Sequence, residues 1–86
     1  MKIIYQKRFI KQLEKLQKHQ KFAVIDAIDL FRHHPHDAAL KNHPLKGEMK
    51  SKRSISAGFD LRIIFEEHDG YSIVIMIEVG SHNEVY

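Results

Sequence analysis

The sequence predicts an α+β fold: an N-terminal strand, an αα-hairpin, then a mainly antiparallel sheet, in the order β-α-α-β-β-β. Three observations lead there. Residues 6–32 carry apolar side chains at helical spacing in two runs, joined closely enough to form a hairpin. Residues 52–79 instead alternate, or run apolar in short stretches, between the turn signals Ala57-Gly58 and His68-Asp69-Gly70. Helices in front and hairpin-linked strands behind place the helices on one sheet face. Eighty-six residues allow a single domain around one core.

Lys2–Tyr5 reads as the first strand. The first helix is expected from Gln6 to His19, burying Phe9, Ile10, Leu13 and Leu16 and showing Lys7, Lys11, Lys15 and Lys18 to water. Gln20-Lys21 is the break. The second helix is expected from Phe22 to Arg32, with Phe22, Ile25, Ile28 and Phe31 on one side. His34-Pro35 ends it, because a residue before proline avoids the α region. Residues 33–50 hold both prolines and Gly47 and form a connection whose length points to function. A strand follows over Lys52–Ser56. Asp60–Glu67 sets Leu61, Ile63 and Phe65 on one face and Asp60, Arg62, Ile64 and Glu66 on the other. Tyr71–Val79 is apolar on both faces through Ile73–Ile77, as a central strand is. Gly80 breaks it, and Ser81–Tyr86 closes the chain.

Composition removes several classes of function. There is no cysteine, which excludes disulfides, thiol catalysis and thiolate metal sites. No apolar run approaches the roughly 20 residues of a membrane helix, and the first residues lack a signal-peptide core. The expected location is the cytoplasm, with no membrane partner. The net charge of +3 hides a division. Residues 1–53 carry 13 basic and 5 acidic side chains, and residues 54–86 carry 1 and 6.

Three constellations could carry chemistry. Lys7, Lys11, Lys15 and Lys18 form a solvated helix face, whereas Lys41, Lys46, Lys50, Lys52 and Arg53 suit a phosphate-binding surface beside the strand of Arg62. His33, His34, His36 and Asp37 contain metal-ligand types. They are neighbours at a helix end rather than one face of a helix, so the expectation is helix-end residues favoured by the dipole, with no metal. Asp60, Arg62 and His82 should converge, because in a hairpin turning at 68–70 the start of one strand meets the end of the next. On spacing alone this is either a catalytic cluster or an Arg–Asp surface pair beside a histidine.

The segments His43-Pro44-Leu45-Lys46-Gly47, Lys52-Arg53, Asp60-Leu61-Arg62-Ile63-Ile64-Phe65 and Gly80-Ser81-His82-Asn83-Glu84-Val85-Tyr86 resemble the RelE/ParE toxin superfamily. The nearest branch is that of the YafQ-like and RelE/StbE-type toxins of type II toxin–antitoxin pairs. The resemblance spans nearly the whole chain. It implies a RelE-like fold and a toxin that inhibits translation as a ribosome-dependent mRNA endoribonuclease. Cleavage would occur in the ribosomal A site, with no metal, organic cofactor or small-molecule ligand. It also implies a cognate antitoxin. His43, Asp60, His82 and Tyr86 match active-site positions, and Arg62 matches an arginine that holds the scissile phosphate. Two positions depart from the branch: Ser56 stands for a histidine and Glu78 for an arginine, a charge that Arg62 is the candidate to supply.

On this reading His82 and Asp60 share acid–base work, with His43 a further candidate, since imidazole titrates near neutrality. Arg62, helped by Lys46 and Arg53, steadies the phosphorane. Tyr86 stacks on a base or orients the 2′-hydroxyl. Attack by that hydroxyl leaves a 2′,3′-cyclic phosphate. The alternatives are a gyrase inhibitor of the ParE branch, and a catalytically weak RNA-binding or co-repressor partner of an antitoxin.

Overall fold

A computed structural model describes residues 1–86. Its elements are β1 (Lys2–Tyr5), α1 (Lys7–Glu14), α2 (Lys18–His33), β2 (His43–Pro44), β3 (Arg53–Ala57), β4 (Leu61–His68), β5 (Ile73–Ser81) and a single closing turn, α3 (His82–Val85). The strands form one sheet in the order β1-β5-β4-β3-β2. β1 runs parallel to β5 and every other pair is antiparallel. The expected α+β architecture is therefore the observed one.

The core lies between the helices and one sheet face. Phe9 of α1 and Val24, Ala27, Ile28 and Phe31 of α2 pack with Ile55, Leu61, Ile63, Phe65, Val74, Met76 and Val79. Phe31 stands edge-on to Phe65 at 4.9 Å and to Tyr71 at 6.0 Å. No helix is long and apolar enough to cross a membrane.

The helix break falls at Lys15–Gln17 rather than Gln20-Lys21. Gln17 and Gln20 form a reciprocal capping box, with the Gln17 N–H donating to Gln20 Oε1 at 2.9 Å. Glutamine is not among the favoured N-cap residues, so the composition concealed a helix start there. The buried stripe of α2 is Val24, Ala27, Ile28 and Phe31, and Phe22 and Ile25 are each 55% exposed. With Ile10, Ile25 lines an apolar groove between the two helices.

The strands also depart from expectation: β3 runs one residue later, over Arg53–Ala57, and Gly80 does not break the last strand, which pairs on through Gly80 to Ser81. The short β2 lies inside the connection that read as a loop, because two residues carry no periodicity. β4 begins at Leu61, leaving Asp60 in the preceding turn. β5 begins at Ile73, since Tyr71 adopts φ +70° and cannot extend the strand. Its contacts hold that conformation. The ring meets Phe31, Phe65 and His36, the hydroxyl accepts from Asn42 Nδ2 at 3.1 Å, and its N–H donates to Glu67 Oε1 at 3.0 Å. Opposite β5, β1 covers only Ile73–Met76, and Gln12 Oε1 of α1 takes over that edge by accepting from the Val79 N–H at 2.8 Å.

Candidate active site

The sheet face away from the helices carries the candidate residues in rows. Cross-strand partners in an antiparallel sheet share a face. One row runs His43, Ser54, Ile64, Glu78 across β2, β3, β4 and β5. A second runs Ser56, Arg62, Gly80, two residues along the strands and so on the same face. The last rung of the β4–β5 pair is Leu61 with Ser81. Asp60 and His82 directly flank it, at the turn before β4 and the start of α3.

Local chemistry folds the tail over these rows. Ser81-x-x-Glu84 is a capping box: the Glu84 N–H donates to Ser81 Oγ at 3.3 Å and the Ser81 N–H to Glu84 Oε1 at 2.7 Å. The Ser81 N–H, and after it the Ser81 hydroxyl, hold the Glu84 carboxyl below its ordinary pKa, so the cap is ionised at neutral pH. Gly80 allows the return. A Cβ there would lie 3.2 Å from Glu84 Cβ and Val85 Cγ1. The turn brings Tyr86 back over β3, where its hydroxyl donates to Ser54 Oγ. The His82 ring stands edge-on to Tyr86, centroids 4.4 Å apart. Ser54, the neighbour of His43, thus links three candidate side chains: His43 by register, Tyr86 by hydrogen bond, and His82 through Tyr86.

His43 is held from the other side. Its Nδ1 lies 2.8 Å from the carbonyl oxygen of Lys41. A carbonyl only accepts, so Nδ1 carries the hydrogen and the neutral ring keeps its lone pair on Nε2. Arg62 is half-buried. Its Nη1 donates to the carbonyls of Leu61 at 2.9 Å and Phe59 at 3.4 Å, which draws the guanidinium to the β3–β4 turn.

The remaining candidates separate. Asp60 makes no ion pair with Arg62 and lines a cleft with Gln12, Lys15, Gln17, Ser81 and Glu84. Arg53 shares strand parity with Ile55 and so belongs to the helix side of the sheet, where its Nε donates to Asn42 Oδ1 at 2.9 Å. Asn42 in turn donates to the carbonyl of Pro35 at 2.9 Å. Arg53 is thereby part of a clasp that ties the connection after α2 to the sheet. Lys46 and Lys50 bracket an exposed 3₁₀ turn, Gly47–Met49, and the Lys52 carbonyl accepts from the Leu45 N–H at 3.0 Å. At the end of α2, His33 Nδ1 donates to the Asp29 carbonyl at 3.0 Å, His36 lies edge-on to Tyr71 at 5.1 Å, and Asp37 caps Ala39.

Sequence reasoning missed three features. Ser54 gave no signal, being one serine in an alternating strand. The Ser81–Glu84 capping box was readable as a motif. Phe59 is fully exposed in the turn beside Arg62, and an apolar residue between Gly58 and Asp60 was its only mark.

A family model now decides what this arrangement belongs to. Residues 1–86 match the one described as bacterial toxin of type II toxin–antitoxin system, YafQ. The chain belongs to the YafQ family of type II toxins. The fold is similar to that of YafQ from E. coli strain BL21(DE3), with TM-score 0.82 and 22% identity over 98% of this chain and 96% of that one. It is similar to a chain of the E. coli DinJ–YafQ toxin–antitoxin complex, with TM-score 0.79 and 23% identity over 98% and 94%. A YoeB/ParE toxin from Agrobacterium tumefaciens gives TM-score 0.77 and 20% identity over 95% and 99%. At these identities the likenesses show the fold. No curated protein matches the chain in sequence. Within this YafQ-family chain the two positions that depart from the branch, Ser56 and Glu78, fall on the same sheet face as His43 and Arg62. Glu78 is ion-paired with Arg8 of α1 at 3.0 Å.

Proposed function

We propose that this toxin cleaves mRNA on the ribosome by acid–base chemistry of its own side chains. The observation that carries the reading is the gathering of His43, His82 and Tyr86 around Ser54, with Arg62 one row away on the same face. Along β4, Arg62 lies two residues from Ile64, about 7 Å. That is within the reach of an arginine side chain released from the Leu61 and Phe59 carbonyls.

The proposed chemistry follows from the hydrogen bonds. His43, with Nδ1–H committed to the Lys41 carbonyl, offers Nε2 as the base that takes the 2′-hydroxyl proton. The 2′-oxygen attacks phosphorus, and the P–O5′ bond breaks. Protonated His82 gives its proton to the leaving 5′-oxygen. Arg62 balances charge on the phosphorane, where a fixed cation needs no reorganisation. Tyr86, held by Ser54, presents its ring to a base. Asp60, which lines the cleft with Gln12 and Lys15, takes no step in this scheme. The products are a 2′,3′-cyclic phosphate and a 5′-hydroxyl. Lys46 and Lys50, exposed on the segment that follows His43, and the lysines of α1 supply the long-range attraction to ribosomal RNA and message.

A cognate antitoxin completes the reading, as the partner that keeps such a toxin silent; the E. coli DinJ–YafQ complex supports it. The location that follows is the cytoplasm, where ribosomes are. The test is primer extension on a reporter message after induction. Cuts are expected inside the translated frame and nowhere in a copy whose start codon is removed. Relaxed plasmid DNA with uncut message would favour gyrase instead and sink the proposal.

A further inference from the structure

Glu78 is an anomaly on a face proposed to hold RNA. It occupies the row of His43, Ser54 and Ile64, and a bare carboxylate there would repel phosphate. It is not bare. Arg8 Nη2 lies 3.0 Å from Glu78 Oε1, and the two side chains are unequally exposed, 68% for Arg8 and 14% for Glu78. Arg8 reaches this position because β1 stops at Tyr5 and α1 runs past the open edge of β5, fixed there by Gln12 on the Val79 N–H. The guanidinium therefore stands at the β5 border of the candidate site.

We infer that Arg8 is a substrate-phosphate ligand that Glu78 positions, an inference that rests on the ribonuclease reading above. The chemistry is that of a shared guanidinium. Arginine has five N–H donors in a planar fork, and one contact to Glu78 leaves the others for a second oxyanion. Glu78 is largely covered while Arg8 is open to solvent, so the pair anchors the guanidinium from beneath and leaves its remaining donors facing outward. With strands about 4.8 Å apart, the Glu78 Cα lies about 10 Å from that of Ser54 and about 14 Å from that of His43. That reach selects a phosphate flanking the scissile one. Arg62, one row away, keeps the scissile phosphate. Glu78 thus converts a flexible surface arginine of α1 into a fixed part of the cutting face.

The rival account is that Arg8 only neutralises Glu78, and a double variant separates the two. Binding to ribosomes carrying a synthetic message is measured in a His82→Ala background, which stops turnover. Arg8→Ala alone is weak on either account, because it bares the carboxylate. Arg8→Ala/Glu78→Gln removes both charges. If Arg8 holds a phosphate, the double variant binds about tenfold more weakly than its parent, and Arg8→Lys recovers only part of the loss. The message is then made with one neutral methylphosphonate at a time on either side of the cut. The parent loses affinity at one flanking linkage to which the double variant is indifferent. Equal binding by the double variant and its parent overturns the inference, as does identical methylphosphonate sensitivity in both. Failure of the parent to bind programmed ribosomes at all instead refutes the ribonuclease reading itself. Thermal unfolding of each variant confirms that a folded protein was compared.

Discussion

His82→Ala is expected to cut message on programmed ribosomes about 100- to 10,000-fold more slowly than wild type, the contribution that a positioned proton donor makes. The loss belongs in kcat, because in the proposed mechanism His82 meets the leaving oxygen only as the P–O5′ bond breaks. Folding is not at risk. His82 is exposed at the start of α3, and the cap of that turn is made by Ser81 and Glu84, which the substitution leaves in place. The ring's edge-on contact with Tyr86 disappears, so affinity falls modestly as well. Single-turnover cleavage, with binding measured separately, distinguishes the two. A variant that cleaves within about threefold of wild type removes His82 from the proton path.

Phe31→Ala is expected to cost about 3–5 kcal/mol of stability, the usual range for deleting a buried aromatic ring. Phe31 is fully buried between α2 and the sheet, edge-on to Phe65 and Tyr71. Tyr71 also anchors the clasp through Asn42 to Arg53, so a cavity at Phe31 loosens the connection that carries His43. For a domain this small the melting temperature should fall by about 12–40 °C. Phe22→Ala is the contrast, expected to change stability by no more than about 0.5 kcal/mol because Phe22 is 55% exposed. Thermal denaturation followed by circular dichroism reads both. A Phe22→Ala variant as damaged as Phe31→Ala would return Phe22 to the core.

That contrast marks where the sequence was informative and where it was not. The class, the order of elements and the β4–β5 hairpin followed from periodicity and from Asp69-Gly70, both of which sit at positive φ. The helix boundary did not, because a glutamine pair capped α2 and glutamine is an ordinary helix interior residue. Two apolar stripes overlap on α2, and spacing alone did not say which meets the sheet: Val24 and Ala27 join Ile28 and Phe31 in the core, and Phe22 and Ile25 do not. β2 was invisible because two residues cannot show a period.

The site divides in the same way. Register arithmetic alone set Asp60 and Arg62 of the β4 end near His82. It could not bring His43 there, since that depends on the two-residue pairing of β2 with β3. Parity misled for Asp60, which lies in a turn rather than a strand. It is informative for Arg53, whose parity with Ile55 puts it on the helix side, away from the proposed phosphate surface. The role of Arg8 had no sequence signal at all, because its partner is 70 positions away.

The charge division now has a spatial meaning. The basic front half supplies α1, with Arg8, and the connection bearing Lys46 and Lys50. The acidic back half supplies the strands and tail, where Glu84 caps α3 and Glu78 holds Arg8. With Glu67 on the Tyr71 N–H, three of its carboxylates are thus structural or positioning groups rather than an acidic surface.

The central claim is cleavage of translated message by attack of the 2′-hydroxyl, with no metal held by the toxin. It is tested most directly by the chemistry of the cut ends. Programmed ribosomes keep their magnesium for assembly, so stripping the toxin with EDTA and desalting it tests only for a tightly held metal, and fragments are examined after a brief reaction. The account predicts undiminished cutting, with a 2′,3′-cyclic phosphate on the upstream fragment and a 5′-hydroxyl on the downstream one. A 5′-phosphate on the downstream fragment would show that water rather than the 2′-oxygen attacked phosphorus, and would contradict it.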